Sequence, residues 1–234
     1  MGACGCSDRE GLHTTPEYEE ALIKPIELGL GLSDRPAMEW LRKLFLISVN
    51  GEVSEARLRA FLKEMELEVS DLTDANKPMG RLFGEFRGQT GYQPEKVGLL
   101  IVLLGQATPE ARGEALFLLN DLDHNEFLSQ AEMTSMITDV MDLALLHLPL
   151  YAADCLAQHR ASTEVQRLKD YADLLGRKQK AAVELLVTQI MQGKGNLTAL
   201  SFCASLKESG KALCSAEALR LFAQNPNSVR EPKK

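Results

Sequence analysis

The sequence predicts an all-α fold built from helix-loop-helix units, on two observations. Apolar residues recur at helical spacing in three separate places: Leu58, Phe61, Leu62 and Met65; Val97, Leu100, Ile101 and Leu104; Met133, Met136, Ile137 and Val140. Each set occupies one face of a helix that follows a polar, turn-forming stretch. The third set also follows a twelve-residue acidic loop, Asp121 to Glu132, entered from a segment whose Leu116, Phe117 and Leu119 form a compatible apolar face.

That loop places oxygen-bearing side chains at its positions 1, 3, 5, 9 and 12, the spacing with which a chain of this length encloses a calcium ion. Calcium takes six to eight oxygens. Asp121, Asp123 and Asn125 present theirs from one side, Phe127 contributes a backbone carbonyl, Ser129 acts through a water, and Glu132 closes the other side with two oxygens. The segment resembles an EF-hand, with one departure in the loop. Where that family carries Gly at position 6, this chain has Glu126. A left-handed backbone costs an L-residue roughly 1 to 2 kcal/mol there, so the resemblance implies a weakened but working Ca2+ site.

Taken in order, residues 1–34 read as a flexible tether containing at most a short helix, and Ser33, Asp34 and Pro36 as the start of the folded part. Because EF-hands pack in pairs, three degenerate copies are expected beside the acidic loop. The first has Asn50, Gly51 and Val53 at loop positions 5, 6 and 8; the second has Tyr92 at position 8; the last has Gly195 and Leu197 at positions 6 and 8. Their ligand positions hold Leu46 and Arg57, Glu85 with Arg87 and Lys96, and Ile190 and Ser201, which cannot assemble the carboxylates that calcium needs. The resemblance implies that position-8 residues pair across each couple of loops, Val53 with Tyr92 and Leu128 with Leu197. Two lobes follow, 35–106 and 107–222, with a helical insertion over 143–178 broken near Pro149, and a flexible tail at 223–234.

The first residues carry a second signal. Met-Gly-Ala-Cys-Gly-Cys-Ser resembles a dual acylation start, with myristate on Gly2 and palmitate on Cys4 and Cys6. Two lipids make physical sense because one myristoyl chain alone binds a membrane only marginally, and the acidic residues that follow exclude a polybasic patch as the second anchor. This start is similar to those of neuronal calcium sensors and of protozoan flagellar calcium-binding proteins. The resemblance implies the cytoplasmic face of a membrane, ciliary or flagellar in the second case, and no secretion.

Composition narrows the remaining classes. The 234 residues are 45% hydrophobic, which is enough for a substantial core. A net charge of -7 and a pI near 5.3 give no footprint for nucleic acid. The apolar runs Val97 to Leu104 and Leu143 to Tyr151 are too short to cross a bilayer. Five cysteines without metal-site spacing imply a reducing compartment, and the four histidines show neither zinc nor protease spacing, so no enzyme is expected. The expected function is a membrane-tethered calcium sensor or adaptor that regulates a protein partner, an amphipathic helix docking on Met133, Met136, Ile137, Val140 and Met141. The alternative is a calcium-independent acylated scaffold that uses its degenerate hands for protein-protein contacts.

Overall fold

The computed structural model describes residues 16–121, 123–158, 162–208 and 211–225. As the periodicities require, these are mostly helical. The order is α1 (Pro16–Gly29), α2 (Ala37–Leu46), α3 (Glu55–Glu64), α4 (Pro78–Gly84), α5 (Pro94–Leu104), α6 (Pro109–Asn120), β1 (Leu128–Ser129), α7 (Gln130–Met141), a π-helical segment (Asp142–His147), α8 (Leu148–Ala157), α9 (Ser162–Met191), β2 (Asn196–Leu197), α10 (Ala199–Glu208), a 3-10 turn (Lys211–Cys214) and α11 (Ala216–Gln224).

Local chemistry explains the starts. Pro78, Pro94 and Pro109 occupy the first positions of α4, α5 and α6, where a missing N–H removes no hydrogen bond. Thr108, Ser129 and Ser215 cap α6, α7 and α11 by accepting from Ala111, Glu132 and Ala218. At the other end of α5, the buried guanidinium of Arg112 donates to the Val102, Leu103 and Gly105 carbonyls. It thereby ties α6 to α5 through carbonyls that no helical N–H can reach.

Two short antiparallel pairings tie the loops together. Leu128 faces Leu197 in β1–β2, and Val53 faces Tyr92 through reciprocal backbone hydrogen bonds of 2.8 Å. These are the residue pairs that the EF-hand resemblance implies. The buried apolar residues form one core cluster running from Ile23 to Ala223. The two expected lobes therefore share an interior, with α6 packed on both α2 and α5 across the expected boundary.

The insertion differs from expectation at Pro149, where no break occurs. α7, the π-helical segment and α8 run on as one helix, Gln130–Ala157, of 28 residues. Proline interrupts an α-helix because it lacks an N–H and its ring meets the carbonyl four residues back. Here the bonding changes just ahead of it: Leu148 N–H reaches back five residues to Leu143 O. The carbonyl five residues before Pro149 belongs to Ala144, and it accepts from Arg220 Nη1 at 3.3 Å. The insertion is thus an extension of two helices: α8 continues α7, and α9, 30 residues long, returns antiparallel against it. By length and composition Gln130–Ala157 would also suit a membrane span, but half of its most apolar window is buried inside the fold.

The N-terminal tether is shorter than expected. Although α1 falls within 1–34, it is docked on α8, α9 and α11. Its acidic residues supply the contacts. Glu20, 6% exposed, chelates the fully buried Arg220 through Nε at 2.7 Å and Nη2 at 2.8 Å, while Glu27 takes Nη1 at 2.8 Å. Tyr171 Oη donates to Glu20 at 2.9 Å, and the fully buried Glu19 pairs with Arg167 at 2.6 Å. Although burial alone opposes the charge, the carboxylates of Glu20 and Glu27 hold the Arg220 guanidinium above its ordinary pKa. Residues 226–234 and the lipidation positions Gly2, Cys4 and Cys6 lie outside the described residues.

Removing one partner of a buried ion network leaves its charges stranded, a loss of about 3 to 5 kcal/mol. Arg220→Met is expected to lower unfolding stability by that amount in urea, with Glu20→Gln less costly when Arg220→Met is already present than alone. Additive effects of the two substitutions would show that the charges do not act as a unit.

Candidate metal centre

The acidic loop is shaped by its own carboxylates before any ion is considered. Asp121, 9% exposed, accepts the Asn125 N–H on Oδ1 at 3.1 Å and the Glu126 N–H on Oδ2 at 3.2 Å. Asp123 Oδ1 accepts from Asn125 N at 3.2 Å, and Asn125 Oδ1 accepts from Phe127 N at 2.8 Å. These bonds fold the chain over its first side chains. His124 and Glu126 take positive φ values of 55° and 66°, so the residue at position 6 does carry the left-handed strain expected of it.

The exit from the loop is equally specified. Ser129 and Glu132 form a capping box: Ser129 Oγ accepts the Glu132 N–H at 3.2 Å, and Glu132 Oε2 accepts the Ser129 N–H at 2.9 Å. This holds the closing carboxylate at the start of α7, pointing back into the loop. One oxygen from each of Asp121, Asp123 and Glu132 lies within 4.8 Å of the others. No lysine or arginine pairs with any of the three among the described residues. Such an all-oxygen group could hold a hard divalent cation, which takes carboxylate, carbonyl and water oxygens. Asn125 belongs to the same turn, and Phe127 leads directly into the β1–β2 bridge.

The other loops are built differently. In the first, Val49 and Glu52 exchange backbone hydrogen bonds around Asn50 and Gly51, both at positive φ (54° and 77°), as a tight type I′ turn requires. That turn sends the Glu52 carboxylate across to the second loop. There it accepts from Gln89 N and Thr90 N, each at 2.8 Å, and from the Thr90 hydroxyl. The Thr90 hydroxyl, then the Thr90 and Gln89 amides, hold this carboxyl below its ordinary range. The second loop therefore turns its N–H groups toward an internal anion, the reverse of a cation site. In the last, Gln192 and Gly193 take positive φ (49° and 77°) and Gly195 does not, so the turn lies earlier than its assigned position 6.

Glu52 was missed by sequence reading, although Asn50-Gly51 is a hairpin signal that could have exposed it. The five residues expected to form an apolar partner groove, Met133, Met136, Ile137, Val140 and Met141, are all 0% exposed. They line the interior where α7 packs on α9. The helical extension fills the groove, so the structure does not present it as a surface. Comparison with protein-family models, with curated proteins and with solved structures returns no match for this chain.

A Cβ on Gly88 would stand 2.1 Å from Glu52 Oε1 and displace the carboxylate. Gly88→Ala and Glu52→Gln are each expected to lower the melting temperature, and the double variant to add little to either; additive losses would contradict the shared cause. Glu126→Gly removes the left-handed strain and is expected to gain about 1 kcal/mol, divided between stability and calcium affinity. Unfolding and calcium titration of the same variant measure both shares.

Proposed function

We propose that the protein is a calcium-binding adaptor of EF-hand type, tethered to a membrane through Gly2, Cys4 and Cys6, in which the one competent hand is Asp121–Glu132. The observation that carries this reading is the convergence of the Asp121, Asp123 and Glu132 oxygens within 4.8 Å, in the loop that ends in the Leu128–Leu197 bridge, with no protein cation paired to them among the described residues. In this reading Asn125, Phe127 and Ser129 complete the shell. The pairing of Val53 with Tyr92 and of Leu128 with Leu197 supports two couples of hands. The lipid tether rests on the N-terminal sequence alone.

Magnitudes decide how calcium acts. Exposing five fully buried Met, Ile and Val side chains would cost on the order of 10 kcal/mol, at about 1.5 to 3 kcal/mol each. Calcium at a hundredfold excess over its Kd supplies about 2.7 kcal/mol. One site cannot open that interior. Calcium instead clamps the loop between α6 and α7 and stiffens the body that the tether holds at the membrane, leaving partner binding to other surfaces. The calcium-independent scaffold keeps one specific observation in its favour, the Glu52-filled second loop.

Titration calorimetry on the full chain and on Glu132→Gln separates the two. One calcium site in the parent, weakened at least tenfold in the variant, is the expected result. Absence of both binding heat and a calcium-dependent rise in melting temperature would leave the scaffold. For the tether, Gly2→Ala is expected to move the protein from the membrane to the soluble fraction of cells, and its retention on membranes would contradict lipid anchoring through Gly2.

A further inference from the structure

Away from the acidic loop, a cleft of about 430 Å³ opens between α4 and the helix formed by the π-helical segment and α8. Leu82, Leu150, Tyr151 and Pro78 make its wall largely apolar. Its volume falls in the range of about 300 to 1,000 Å³ that small-molecule sites occupy. At the mouth, Arg81 and Asp154 neutralise each other at 2.7 Å, and the remaining Arg81 nitrogens donate to the Ala75 and Asn76 carbonyls. The mouth therefore offers no free charge of either sign.

The end beside the π-helical segment is different. Glu85 and His147 line both this cleft and a small adjoining chamber of about 40 Å³, whose wall includes Asp139, Asp142 and Lys96. Three carboxylates face one ammonium there, because burial lowers the His147 pKa and keeps the imidazole neutral at pH 7. Asp142 is partly engaged, accepting from Gln179 at 2.7 Å. Asp139 and His147 form no hydrogen bond with any described side chain, and burial raises the Asp139 pKa against the opposing pull of Lys96. Asp142 and His147 mark the two ends of the π-helical segment, a distortion that recurs at functional sites.

We propose that this cleft binds a small organic cation, with the apolar body against Leu82, Leu150 and Tyr151 and the ammonium group in the chamber beside Glu85 and Asp139. A bare metal ion fits less well. The chamber carboxylates do not converge as those of the acidic loop do, the only such group among the described residues, and a metal would leave the apolar wall unused. An anionic ligand would meet the chamber's excess negative charge. Neutral His147, which lines both spaces, supplies an acceptor for an ammonium N–H.

Two probes of matched shape and opposite charge, 4-phenylbutylamine and 4-phenylbutyrate, test this by calorimetry on the full chain. The amine is expected to bind at least tenfold more tightly than the carboxylate. Asp139→Asn should remove most of that preference, and Leu150→Trp, which fills the cleft, should abolish binding of the amine. Equal binding of the two probes, no amine binding at millimolar concentration, or a preference that survives Asp139→Asn would overturn the proposal. Should Leu150→Trp fail to fold, the charge preference and Asp139→Asn decide alone. Calcium titration of Asp139→Asn is expected to match the parent, so the outcome here is independent of the metal centre.

Discussion

The guanidinium of Arg220 is the contact on which the arrangement of the second half depends. It reaches two elements from α11: Glu20 and Glu27 on α1, and the Ala144 carbonyl in the π-helical segment. A buried arginine is tolerable only when its donors and its charge are both answered, and here two carboxylates and a spare carbonyl answer them. The same contact solves the problem set by Pro149, since the carbonyl that loses its helical donor is the one Arg220 uses. Continuity of Gln130–Ala157 follows, then its packing on α9, then the cleft against α4. Specific geometry, more than net stabilisation, is what such a network contributes.

The loops show two electrostatic solutions to one problem. A tight loop turns several N–H groups or several carboxylates inward, and whichever gathers must be compensated. In the second loop the N–H groups gather, and Glu52 compensates them from the neighbouring hairpin. In the acidic loop the side-chain oxygens gather, and no described lysine or arginine pairs with them. The first solution is complete within the chain. Under the proposed function, the second would make the loop's stability depend on the concentration of an external ion.

Local signals carried much of this architecture in the sequence. Apolar residues at helical spacing mark α3, α5 and α7, and the EF-hand resemblance implies the pairing of Val53 with Tyr92 and of Leu128 with Leu197. What stayed hidden depends on contacts distant in sequence. Glu19 and Glu20 carry no local sign of burial because their partners, Arg167 and Arg220, lie about 150 and 200 residues away. Pro149 reads as a break because the donor that rescues its neighbourhood comes from α11. Met133, Met136 and Ile137 read equally well as a groove or as core, and the packing of α9, whose length no local rule sets, decides for core.

If calcium tightens a closed body without opening it, the effect will be read most directly in α7. Hydrogen exchange of its amides, from Met133 to Met141, measured with and without saturating calcium, is the decisive comparison. Slower exchange with calcium is predicted, strongest near Met133 where α7 leaves the loop. Faster exchange across this helix on calcium binding would mean that the interior opens, and would contradict a closed, calcium-clamped body.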